Sequence, residues 1–113
     1  MDPVAVLRVL GNKYNPEILR ATSVPKSAQE LSDELDIPIA TAYRRIDELQ
    51  EEDLLALEGK ELSEEGRQTK VYRRQVDEIT VEFGTEGLDL EVVERTEARN
   101  NLVEVWSDLR QEG

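Results

Sequence analysis

The 113-residue chain predicts an α+β fold, mainly α with a small antiparallel sheet, and three observations carry that expectation. Apolar residues recur at helical spacing through the first half, as in "AQELSDEL" and "IATAYRRIDEL". After "LQEEDLL" the period shortens to alternation, in "LALE", "KVYR", "ITVEF" and "LDLEVV". Helix-start residues precede the helical stretches, and polar segments with glycine separate the alternating ones.

Each element has a local reason. In "DPVAVLRVLGN", Val6, Leu7 and Leu10 share a helical face and Gly11 is a natural stop. Asn15 reads as the cap of the next helix, with Pro16 in its first turn and Ile18 and Leu19 as its buried pair. Val24 and Pro25 close it. "SAQE" at 27–30 fits a capping box, in which the Ser27 hydroxyl and the Glu30 carboxylate satisfy free amides. Ala28, Leu31 and Leu35 then line one face, and "LDIP" makes a tight turn with Ile37 inward. Pro38 opens a helix over 38–52 that carries Ala42, Ile46 and Leu49 toward the same core.

The second half reads as two hairpins and a helix. "EGKELSEEGRQTK" is polar and holds Gly59 and Gly66, so the strands around Leu55 and Tyr72 meet through a long charged tip. "ITVEF" (79–83) and "LDLEVV" (88–93), bridged by "GTEG", form the second hairpin. The tail 96–111 is helical, with Ala98, Leu102, Val105, Trp106 and Leu109 in a stripe. The plausible boundary at 75–77 divides residues 1–75 from 76–113.

Composition narrows the function classes. Cysteine and histidine are both absent, which removes disulfides, soft-metal sites and imidazole acid–base chemistry. The carboxylates lack catalytic spacing, so neither an enzyme nor a cofactor or metal site is expected. An apolar run long enough to span a bilayer and a secretory start are lacking, which points to a cytoplasmic protein. Asp and Glu total 26 against 14 Lys and Arg, a net charge of −12, and only Lys13, Lys26, Lys60 and Lys70 are lysines. Such an acidic, lysine-poor surface resembles proteins of salt-accumulating halophiles, in which dense carboxylates hold water where molar salt would drive association. The competing readings are an ordinary acidic protein and a nucleic-acid mimic.

"SAQELSDELDIPIATAYRRIDELQEEDLL" followed by "GRQTKVYR" resembles the winged helix-turn-helix of ArsR-like regulators of archaea and bacteria, over about residues 8–75. Thr41, Arg44, Ile46, Leu49, Leu54 and Leu55 occupy the places of that family's pattern. Pro38 stands where Ser or Thr usually caps, and Asp53 stands where Gly commonly ends the helix. The metal-sensing cysteine and histidine ligands are absent, so metal sensing is not implied.

The resemblance implies a transcriptional regulator that binds double-stranded DNA, with helix 38–52 in the major groove and a wing at 58–70 on the backbone or minor groove. With Ala42, Ile46 and Leu49 inward, the 100° helical step places Arg44 almost directly outward, beside Ala40, Thr41 and Asp47. Arg44 is the leading base reader, since its planar fork matches guanine O6 and N7. Ala40 and Thr41 permit close approach, while Tyr43 and Arg45 suit phosphate contacts. Arg67, Lys70, Arg73 and Arg74 fall in eight consecutive residues without an acid, a local reversal of sign in the wing, and Arg67, Lys70 and Arg73 join the expected DNA contacts. The plainer alternative is a solvated helix face with the arginines paired to Asp47 and Glu48, beside a solubilising hairpin. Leu102, Val105, Trp106 and Leu109 are the expected homodimer contacts, although the same stripe could pack on its own domain. A protein–protein module or an acidic DNA mimic remains the alternative function. No operator or small-molecule effector can be named.

Overall fold

The computed structural model describes residues 2–62 and 66–95; the terminal helix expected at 96–111, with Leu102, Val105, Trp106 and Leu109, lies outside the described residues. The element order is α1 (Pro3–Gly11), α2 (Asn15–Ala21), β1 (Lys26–Ser27), α3 (Ala28–Leu35), α4 (Ile39–Glu51), β2 (Leu55–Leu62), β3 (Gln68–Arg74), β4 (Val76–Gly84) and β5 (Gly87–Glu94). This is an α+β fold with the arrangement of a winged helix-turn-helix: α3 and α4 form the helical pair, and β2–β3 form the wing.

Local chemistry accounts for most boundaries. Asp2 caps α1 by accepting from the Val4 N–H at 3.1 Å, with Pro3 in the first turn. The capping box of α3 is complete: the Glu30 N–H donates to Ser27 Oγ, and the Ser27 N–H donates to Glu30 Oε1, each at 3.0 Å. Two residues in the left-handed region make the sharp helix exits, Asp36 at φ 55° and Asp53 at φ 58°. After Asp36 the Ile37 N–H returns to Ser32 O at 3.0 Å, and the Ser32 hydroxyl donates to Ile37 O, which sets the turn into α4. After α4 the Leu54 and Asp53 N–H groups return to Leu49 O and Gln50 O, each at 3.0 Å, in a Schellman arrangement.

Two expectations change. Asn15 does not cap α2; Tyr14 takes the cap position at φ 75°, without a side-chain hydrogen bond. The Asn15 side chain is instead fully buried, because its amide donates to Val9 O at 2.7 Å and to Glu48 at 3.1 Å. The short strand β1 was not anticipated, since two residues cannot show an alternation. It pairs antiparallel with β3, Lys26 opposite Tyr72 and Ser27 opposite Val71, so the sheet order is β1-β3-β2.

The core gathers Val6, Ile18, Leu31, Ile46, Leu49, Leu54 and Leu55, all within 2% of full burial. Each such side chain contributes on the order of 2 kcal/mol relative to exposure. The β4–β5 hairpin forms a separate two-stranded sheet whose Ile79, Leu90 and Val92 pack against this core.

Asp53 lets the Schellman turn be tested. Left-handed backbone costs an L-residue roughly 1–2 kcal/mol, somewhat less for Asp. Asp53→Gly is therefore expected to raise stability by about 0.5–1 kcal/mol after glycine's own entropy cost, a rise of a few degrees in thermal midpoint. Asp53→Ala should lower it. A glycine variant that melts below the natural protein would show that the aspartate side chain stabilises the turn.

Candidate nucleic-acid interface

The rotation of α4 about its axis is set by Ala42, Ile46 and Leu49, none more than 1% exposed. The helical period then turns Ala40, Arg44 and Asp47 to solvent, and Tyr43 is 51% exposed. Thr41 is half-buried, and Arg44 Nη2 donates to its hydroxyl at 3.3 Å, laying the guanidinium along the outer face of the helix.

Strand β3 runs beside this face. Its alternation puts Gln68, Lys70 and Tyr72 on one side. A groove of about 310 Å³ opens there between the start of α3, α4 and β3, lined by Ala28, Gln29, Ile39, Tyr43, Lys70 and Tyr72. Burial pushes the Tyr72 hydroxyl pKa up, and Tyr43 and Asp47 add to the shift from across the groove. Lys70 and Tyr43 are thus brought together, and Arg67 is exposed at the wing tip beside Gly66, which has φ 81°. Sequence reasoning missed Gln29, Ile39 and Tyr72 as lining residues. The period-two pattern through Lys70 could have indicated Tyr72, whereas nothing local marks Gln29.

The remaining cations of the run turn elsewhere. Arg73 lies on the other side of β3, where its Nε donates to Ser23 O at 3.2 Å and its Nη1 sits 3.6 Å from Glu58. Arg74 Nη1 donates to Leu19 O at 3.1 Å, and its Nη2 is 3.9 Å from Asp77. Arg45, expected to hold a phosphate, bonds Glu48 at 2.7 and 3.0 Å. The paired-arginine alternative therefore describes Arg45, while Arg44 keeps an exposed face.

Glu48 is the hub beneath the helix. One of its oxygens also accepts from Asn12 at 3.0 Å and Asn15 at 3.1 Å, joining α4 to the corner between α1 and α2. Desolvation alone would raise the Glu48 pKa, but the hydrogen bonds from Asn12, Asn15 and Arg45, with the Arg45 charge, outweigh it and the net shift is downward. Among the described residues, no group of His, Cys, Asp or Glu is placed to hold a metal ion, and no helix is long and apolar enough to cross a membrane.

Comparison with known proteins adds one family match. Residues 6–58 match the model of the helix-turn-helix domain family, from within α1 to within β2. No curated protein matches. A solved structure described as a possible transcriptional regulator from Methanosarcina mazei Go1 aligns at 17% identity and a TM-score of 0.49, covering 96% of this chain and 82% of that one.

The depressed Glu48 pKa has a signed consequence. A carboxylate whose folded pKa lies below its unfolded value of about 4.3 stabilises the fold above that value and loses the contribution as pH falls through the folded pKa. Glu48→Gln should unfold more easily than the natural protein at pH 7, by about 1–2 kcal/mol. The gap should close as the solution is acidified below about pH 4. Chemical denaturation across that range gives the measurement; a constant gap would mean Glu48 does not titrate with folding.

Proposed function

We propose that this chain is a sequence-specific DNA-binding transcriptional regulator of the ArsR-like kind, acting as a homodimer in a salt-rich cytoplasm. The observation that carries the reading is the groove shared by α4 and β3, where exposed Tyr43 and Lys70 flank the same opening. A duplex laid against α4 meets the wing on the same side, as docking of a winged helix requires. The family match over residues 6–58 supports the same use of the helical pair.

In this proposal helix 38–52 enters the major groove. Arg44 leaves Thr41 and donates in bidentate fashion to a guanine, while Ala40 and Thr41 let the backbone come close. Tyr43 and Lys70 take phosphates on the groove side, and Arg67 reaches the backbone or minor groove from the wing tip. Arg45 and Arg73 become positioning residues: the first steadies α4 through Glu48, the second ties β3 to Ser23 and Glu58. Residues 76–113 serve dimerisation, with the stripe Leu102, Val105, Trp106 and Leu109 as its contact, and the two reading helices meet half-sites one turn apart. The exposure of Ile39 and Tyr43 on α4 favours a second reading, a protein partner seated on the same face.

Selection of bound genomic fragments followed by anisotropy titration tests the proposal. Arg44→Ala should reduce discrimination for the selected site by about 5- to 150-fold, the equivalent of about 1–3 kcal/mol. Lys70→Ala should weaken all sequences alike and lower the salt slope by about one. Absence of binding by the unmutated protein from low to multimolar KCl would instead favour the protein-partner reading.

A further inference from the structure

The β4–β5 hairpin is two-faced. Ile79, Val81 and Phe83 stand opposite Val92, Leu90 and Leu88, so six apolar side chains share one face. The inner members Ile79, Leu90 and Val92 pack on the domain core. Toward the turn the cover ends: Val81 and Leu88 are half-buried, and Phe83 is 83% exposed. The opposite face carries Glu78, Thr80 and Glu82 across from Val93, Glu91 and Asp89, and is acidic. A two-stranded sheet is marginal in water unless its apolar face is packed.

We propose that the outer part of this face, Val81, Phe83 and Leu88, is the seat for residues 96–113 of a second copy of this chain. The proposal rests on the dimeric part of the function proposed above and names its surface.

Two observations select that occupant. Covering Phe83 removes on the order of 150–200 Å² from water, and with Val81 and Leu88 the hairpin tip stays well short of the ~800 Å² per partner that a stable pair needs. The eighteen residues after Arg95 bring Leu102, Val105, Trp106 and Leu109, and a two-fold pair uses every such contact twice. Reach then separates the partner's segment from the chain's own. The Arg95 N–H donates to Gln75 O at 2.7 Å and its Nε donates to Arg74 O at 2.8 Å, which anchors the chain at the base of the hairpin. Leu88 lies seven residues back along β5, roughly 24 Å from that anchor. Read as a helix, Leu109 lies fourteen residues beyond the anchor, roughly 21 Å away, and Trp106 eleven residues, roughly 16 Å. The stripe of the same chain would fall mainly over Leu90 and Val92, which already pack on the core, and short of Phe83. A partner's stripe arriving from the turn side has no such constraint.

The absence of native cysteine makes the test direct. Phe83→Cys and Val105→Cys are prepared as separate full-length chains, mixed, and oxidised, with Leu62→Cys as an exposed control in place of Phe83→Cys. The expected result is a disulfide-linked pair joining the two unlike chains, at least tenfold above the control pairing. Light scattering of the unmutated chain should give a dimer, and Phe83→Glu should weaken it at least tenfold while circular dichroism stays unchanged. A chain carrying both cysteines that links only within itself overturns the proposal, as does a monomer at micromolar concentration. Loss of DNA binding by a chain that still cross-links between copies would sink the DNA reading and leave this one standing.

Discussion

The carboxylate of Glu48 holds together the parts on which the proposed interface depends. It accepts from Asn12, Asn15 and Arg45, groups from the α1–α2 corner and from α4 itself. Apolar packing by Ala42, Ile46 and Leu49 determines which side of α4 faces inward, but packing is tolerant of small rotations. Directional bonds are less so. A helix residue occupies 100° of arc, and a modest roll would exchange Arg44 for Tyr43 or Asp47 as the most outward side chain. The Glu48 junction adds a polar constraint on that roll. It also ties the reading helix to the rest of the domain, because Asn15, fully buried, uses the same amide nitrogen to bond Val9 O.

How far this arrangement could be read from the residues follows from the range of the forces involved. Local interactions leave local traces. The capping box at Ser27 and Glu30, the inward stripe of α4 and the stop at Asp53 each depend on neighbours within a turn or two, and each was legible. The Asn12–Glu48 bond spans thirty-six residues and leaves no periodic mark. Asn15 therefore looked like a cap, the usual use of that residue before Pro, when its amide was required elsewhere. The same reason explains Arg45 and Arg73. A cation in sequence shows its charge but not its partner, and both partners lie where only the folded chain brings them. Strand β1 was invisible for a different reason: its two residues are held by β3, not by their own pattern.

Counting cations by what they touch changes the meaning of the net charge of −12. Arg45, Arg73, Arg74 and Arg95 reach backbone carbonyls or carboxylates inside the domain, and Lys26 pairs with Glu34. The positive charge offered outward near the groove comes down to Arg44, Lys70 and Arg67. A chain so acidic cannot rely on a broad positive field to attract a polyanion, and concentrated salt shortens any such field to about 3 Å at 1 M. Binding in that regime depends on contacts made at close range, where a bidentate arginine discriminates best.

The placement of the acids then matters as much as that of the bases. Glu82 stands directly opposite Asp89 on the outer face of the β4–β5 hairpin, with Glu78 and Glu91 on the same side. Like charges opposite one another weaken a strand pair, so this face is costly to the hairpin in dilute salt and less so once screened. In return it repels nucleic acid from the side away from the groove, leaving the α4 side as the less repulsive approach. It also distinguishes the two faces of one hairpin: the acidic side stays in solvent, and the side bearing Phe83 is left for a partner. Orientation toward DNA and pairing with a second copy would thus both follow from one alternation of residues along β4 and β5.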